Sequence, residues 1–227
     1  NKPYQLSVAN ALWAQKDYPF NASYIGTVDQ YYGGKVTNLD FVGNTEGSRQ
    51  TINSWVENKT NNRIKDIIPQ GVLSPMTRMV LTNAIYFKAN WTSQFDNAST
   101  REENFTLGSG ERVNARMMHQ EEHFNYGENG ELQILEMGYV GGDTSMLMLL
   151  PKGNDISGLE SSVTAENLQK WKRGMASQKV EVSMPKFKFE TKYFMKEDLQ
   201  AMGMPTAFAP GSADFTGMSP TGELFIS

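Results

Sequence analysis

Only two histidines occur in this chain, and they stand four residues apart in His119-Gln120-Glu121-Glu122-His123. The spacing matches H-x-x-E-H, in which two imidazoles and a carboxylate on one helix hold zinc and activate water. That chemistry requires a helix, because only there do side chains four apart stand on one face. The flanking residues read as strand ends and turns. On a strand, four residues cover roughly 13 Å, too far for both rings to reach one zinc at about 2 Å. No third histidine exists to complete a site. The pair is read as two polar strand-end residues, and no metal is expected. A zinc hydrolase using His119 and His123 is kept as the remote alternative.

The rest of the chemical inventory is thin. There is no cysteine, which excludes thiol nucleophiles, disulfides, zinc–thiolate sites and iron–sulfur clusters within this chain. Glu102-Glu103 and Glu121-Glu122 are adjacent in sequence and read as solvated rather than as acid–base pairs. No G-x-x-x-x-G-K-[ST] or G-x-G-x-x-G cradle is present, so no nucleotide cofactor is expected. No G-x-S-x-G elbow is present either. Met146, Met148 and Met184 fall on apolar strand faces and read as core packing. N-x-[ST] sequons stand at Asn21, Asn58, Asn90, Asn97 and Asn104. A shuffled chain with 18 Asn and 33 Ser or Thr in 227 residues would hold about 2.6, so the excess is mild. The sequons permit secretion without requiring it. On residue chemistry alone, a binding or structural protein is favoured over an enzyme.

The elements that would position these residues are strand-rich. Leu6 to Trp13 reads as a strand, and Pro19 opens a helical pattern through Tyr32 that Gly33-Gly34 ends. Lys35 to Phe41 alternates weakly as a strand. Ser48 is a candidate cap for a helix whose apolar face runs Ile52, Trp55, Val56, Ile64, Ile67 and Ile68 until Pro69 and Gly71 stop it. Met79 to Trp91 is the longest strand, apolar on both faces near its middle, which predicts a place inside a sheet rather than at its edge. Short strands follow to Met118, from His123 to Tyr126 and from Leu132 to Tyr139. Gly141-Gly142-Asp143 reads as a hairpin turn, and Met146 to Leu150 as a buried central strand. Thr164 caps a helix through Trp171 that ends at Gly174. Val180 to Glu190 alternates, and Asp198 to Met202 is a short helix. Strands and helices do not alternate strictly, so the class is α+β.

Composition bounds the rest. No repeat or linker divides the 227 residues, so one domain over 1–227 is expected. Lys and Arg number 21 against 25 Asp and Glu, a net charge of −4. No basic excess supports nucleic-acid binding, and no apolar run approaches the roughly 20 residues that span a bilayer. The chain opens at Asn1 without Met and closes on the apolar Leu224-Phe225-Ile226-Ser227. It is therefore expected to be a segment of a longer protein.

One resemblance covers essentially the whole chain. Leu81-Thr82-Asn83-Ala84-Ile85-Tyr86-Phe87-Lys88-Ala89-Asn90-Trp91, followed by Phe95, Thr100 and Phe105, resembles the serpin pattern L-x-N-x-x-x-F-K-x-x-W with F-x4-T-x4-F. In the family's order follow Met117-Met118, Phe124, Tyr126 and Leu135-Glu136, then Gly141 to Pro151. Met184-Pro185-Lys186-Phe187-Lys188, Met202-Gly203-Met204, Ala207-Phe208 and Ala213-Asp214-Phe215-Thr216-Gly217-Met218 complete it. Each motif is short, but their order and spacing are specific together.

The resemblance implies the serpin fold: a large central sheet A, smaller sheets B and C and surrounding helices, incomplete in this chain. It implies that family chains begin with helices ahead of the position of Asn1. It also implies that they continue past Ser227 into a strand, a hinge, the reactive-centre loop and two core strands, so the reactive bond lies outside this chain. The implied function is inhibition of serine endopeptidases as a suicide substrate, without enzyme activity of its own. A non-inhibitory carrier, storage or chaperone member is the alternative. The implied partners are a target serine or cysteine protease and the complementary carboxy-terminal portion of the same protein, in an extracellular or secreted setting. Asn83 would map to the shutter of the central sheet, Trp91 to the breach where the loop enters, and Lys88 between them. In the plain alternative, Asn83 satisfies nearby backbone groups and Trp91 plugs a core.

Overall fold

The computed structural model describes residues 2–32, 35–153 and 156–227, so the expected Gly33-Gly34 helix stop lies outside the described residues. In chain order these form β1 (Gln5–Gln15), α1 (Ala22–Tyr32), β2 (Lys35–Leu39), α2 (Thr45–Lys59), β3 (Met79–Lys88), β4 (Arg101–Thr106), β5 (Arg112–Glu128), β6 (Leu132–Gly138) and β7 (Ser145–Pro151). Then come α3 (Ile156–Ser162), α4 (Ala165–Arg173), β8 (Ala176–Pro185) and α5 (Lys196–Ala201). Two compact units result: Leu6–Phe87 with Thr191–Ser227, and Asn1–Gln5 with Lys88–Glu190.

In the first unit a three-stranded sheet runs β2-β1-β3, with β2 parallel to β1. Successive strand residues face opposite sides, and β1 uses both. Ala11 and Trp13 pack with Phe41, Ile52 and Ile68 under α2, while Leu12 and Ala14 pack with Val28 of α1. Burying Ile52 completely contributes about 1.5–3 kcal/mol. The buried Gln15 closes the end of this layer, its Oε1 accepting the backbone N–H of Phe41 at 2.7 Å.

Two expectations are corrected in this unit. Asn44, not Ser48, caps α2, accepting from the Gly47 N–H at 3.1 Å. Ser48 lies buried inside the helix. The helix also stops at Lys59 rather than near Ile68, because Asn61, Asn62 and Asp66 take positive φ values of 50°, 57° and 46°, which Asn and Asp tolerate best. The chain then folds back along α2. Asn53 holds it there, donating to the Ile68 carbonyl at 2.9 Å and accepting the Ile68 N–H at 3.0 Å. Ile68 therefore reaches the same core by a returning loop.

β3 has one strand neighbour among the described residues. It stands at one end of the three-stranded order. Ala84 is buried, but Leu81, Ile85 and Phe87 are exposed. Apolarity on both faces gives a strand's burial preference and leaves its neighbours undefined.

The second unit is built on the 17-residue β5, one continuous strand where short pieces were expected. β4 and β6 pair with its two ends, β8 pairs along its middle, and β7 pairs with β6, all antiparallel. β6 packs on both faces. Leu132 and Ile134 meet Trp171 of α4, and Met137 meets Phe124 and Val182. Among the described residues β7 stands at the end of this strand order, with Met146 and Leu150 exposed. The expected turn between β6 and β7 is present. Gly141 has φ +109°, and a Cβ there would stand 2.4 Å from Pro3, so both backbone and space require glycine. Thr164 caps α4 as expected, accepting from the Asn167 N–H at 3.1 Å, and Gly174 ends it.

Candidate functional site

Asn83 sits on the exposed face of β3, between Leu81 and Ile85. Its Nδ2 donates to Oδ1 of Asn10 on β1 at 2.5 Å. An exposed amide pair of this kind is replaceable: each side chain carries both donor and acceptor and can take a new partner when one arrives. One residue away on the opposite face, the buried Trp13 donates its indole N–H to Thr82 Oγ1 at 3.0 Å. That hydroxyl in turn reaches the Ala11 carbonyl at 3.4 Å. β3 is thus fastened to β1 by side chains on both faces. Among the described residues no strand pairs with its outer edge.

Lys88 is the exposed last residue of β3. Trp91 belongs to the second unit. It forms an antiparallel bridge with Tyr139 and stacks on that ring, centroids 4.5 Å apart and planes 12° from parallel. The Trp91 ring packs against the Phe124, Met137 and Val182 cluster, and Tyr139 is buried. Burial pushes the Tyr139 phenol above its ordinary pKa.

Beside this stack opens a cleft of about 610 Å³ lined by Thr92, His123, Glu136, Tyr139, Ser145 and Lys172 among others. The Glu136 carboxylate accepts from Asn125 Nδ2 at 2.9 Å and Ser145 Oγ at 2.7 Å, with Lys172 Nζ at 3.6 Å. These partners hold its pKa below the usual carboxylate range, the Asn125 bond most. A carboxylate so satisfied is kept ionised and is poorly suited to take up a proton.

Both histidines lie on β5. The His119 ring is largely enclosed. Its Nδ1 lies 2.9 Å from Ser183 Oγ, and its Nε2 lies 3.2 Å from Glu103 Oε1, an ion-pair distance without hydrogen-bond alignment. Glu103 is also paired with Arg101. His123 lines the cleft instead. No cluster of three or more His, Cys, Asp or Glu that could hold a metal occurs among the described residues. The two histidines thus stand on a strand and not on the helix that H-x-x-E-H requires.

The structure thus places Asn83 in one unit and Lys88 and Trp91 in the other, each on or just beyond β3. The partners Asn10 and Tyr139 were not anticipated. Strand alternation gives faces but not register, and these pairings depend on register.

The family model Serpin (serine protease inhibitor) matches residues 1–227. An uncharacterised serpin-like protein of Methanosarcina acetivorans is 43% identical over 228 residues, covering 100% of this chain and 54% of that protein. Among solved structures, emu (Dromaius novaehollandiae) ovalbumin superposes with a TM-score of 0.90 at 36% identity, covering 97% of this chain and 58% of that one. Reactive-loop-cleaved human thyroxine-binding globulin superposes at 0.91 with 30% identity, covering 100% and 66%. The chain spans about half the length of the curated relatives it matches.

Proposed function

The chain belongs to the serpin family, and on that premise we propose that the whole protein inhibits serine-type endopeptidases as a suicide substrate. It is no catalyst in its own right. A target protease, of serine or cysteine type, cleaves a reactive loop and is held as an acyl-enzyme. The loop then joins sheet A as a new strand. Serpin loop insertion is an established instance of strand addition to a sheet, and this chain supplies the receiving strand. The observation that carries the reading is the match of the Serpin (serine protease inhibitor) family model to residues 1–227.

In this reading Asn83 is the shutter residue, trading its Asn10 partner as the sheet opens. Trp91 marks the entry point at the breach, and Lys88 lies between them. α2, packed on the sheet through Ile52, shifts to let the loop pass. The protease meets the protein in an extracellular or secreted setting, and the carboxy-terminal portion of the same protein provides the loop.

A second reading is a non-inhibitory carrier or storage protein. Its support is the structural likeness to ovalbumin and to thyroxine-binding globulin, the latter named for a ligand it binds. Incubation of the whole protein with a panel of serine and cysteine proteases separates the two. The inhibitor reading expects an SDS-stable adduct with at least one enzyme. Cleavage throughout with no adduct favours the carrier.

A further inference from the structure

We propose that Asn97 is an N-glycosylation acceptor of this protein. Five sequons stand in the sequence, and the fold treats them differently. The Asn21 amide is engaged, Nδ2 donating to the carbonyls of Thr216 at 2.9 Å and Gly217 at 3.0 Å. The Asn90 triplet is locked as a bridge. Its carbonyl accepts the Val140 N–H, Trp91 stacks on Tyr139, and the Thr92 N–H donates to Gly138. In the Asn58 triplet the hydroxyl of Thr60 is buried and donates to the Val56 carbonyl at 2.8 Å. The Asn104 triplet is laddered to β5.

Asn97-Ala98-Ser99 instead forms an exposed turn ahead of β4. It is a single turn of 3-10 helix with all three residues exposed. The turn is held by its flanks. The Asp96 carboxylate accepts the Ala98 N–H at 2.9 Å, the Asp96 carbonyl accepts the Ser99 N–H at 3.1 Å, and the Asn97 carbonyl accepts the Thr100 N–H at 3.2 Å. Neither the Asn97 amide nor the Ser99 hydroxyl makes a hydrogen bond in the structure of the described residues. Both groups that a transferase must engage are therefore presented to solvent on a shaped turn, the setting in which sequons are used. A glycan on the Asn97 amide displaces no side-chain hydrogen bond of the described residues.

The co-reactant is a lipid-pyrophosphate-linked oligosaccharide. Asn97 Nδ2 forms a bond to the anomeric carbon, the bond from that carbon to the pyrophosphate oxygen breaks, and the lipid pyrophosphate leaves. The amide gives up one proton to the transferase, and no redox change occurs. The inference shares the secretory setting of the proposed function but not its inhibitory chemistry, so the two can fail separately.

The test expresses the full chain behind a secretion leader in a host with an oligosaccharyltransferase. The Asn97 peptide is then mapped by mass spectrometry with and without glycosidase, in secreted and retained fractions. The expected result is a glycan on Asn97 that falls to background in Asn97→Gln and in Ser99→Ala and persists in Ser99→Thr. An unmodified Asn97 peptide in both fractions, or a glycan on Asn97 that survives Ser99→Ala, overturns the proposal.

Discussion

Thr82→Val probes the fastening of β3 to β1. The replacement keeps the branched shape and removes the oxygen that accepts from the Trp13 indole at 3.0 Å. Trp13 is 3% exposed, so its N–H has little access to water, and a stranded buried donor costs about 1–3 kcal/mol. Thr82 itself is only half-buried, which lets some solvent approach and places the expected loss near the lower end, about 1–2 kcal/mol. The weaker 3.4 Å contact to the Ala11 carbonyl adds little. Equilibrium urea unfolding of the whole protein measures the loss. Trp13→Phe removes the donor as well as ring area, so the Thr82→Val and Trp13→Phe pair forms a double-mutant cycle with an expected coupling of about 1 kcal/mol. A Thr82→Val protein as stable as the parent, or strict additivity in the cycle, would show that the bond does not hold the two strands.

Ile52→Ala should destabilise the α2 core by about 2–5 kcal/mol, read as a lower urea midpoint, because Ile52 is completely buried beside Trp13 and Phe41. Glu103 has its pKa lowered, first by its bond to Arg101 and then by His119. A carboxylate with a depressed folded pKa stabilises above its unfolded value near about 4.3 and loses that contribution as pH falls through the folded value. Glu103→Gln should therefore flatten the acid limb of stability against pH, and an unchanged limb in urea titrations would refute the linkage. His119→Ala should leave purified protein as free of stoichiometric zinc as the parent by metal analysis.

How much of this was legible in the sequence depends on what each pattern encodes. The alternation from Met79 onward gave β3 and its two faces, and Thr164 with Gly174 gave both ends of α4. The end of α2 was misplaced because Ile64, Ile67 and Ile68 keep helical spacing. The Asn61-Asn62 pair, tolerant of positive φ, was the available stop signal. The neighbours of β3 and β7 were not legible either, since composition records a strand's apolarity and not who sits beside it. For the candidate site, Asn83, Lys88 and Trp91 came from ordered motifs rather than from their chemistry. Their partners Asn10 and Tyr139 come from distant segments whose register no local pattern sets.

Strand addition to the sheet that holds β3 is read directly by hydrogen exchange. Alternate amides of a strand point toward each neighbour, so roughly half of the 79–88 amides face outward. In the whole protein, cleavage by a target protease should slow exchange at those outward amides while the β1-facing set stays protected. Exchange across 79–88 that is the same before and after cleavage would contradict it.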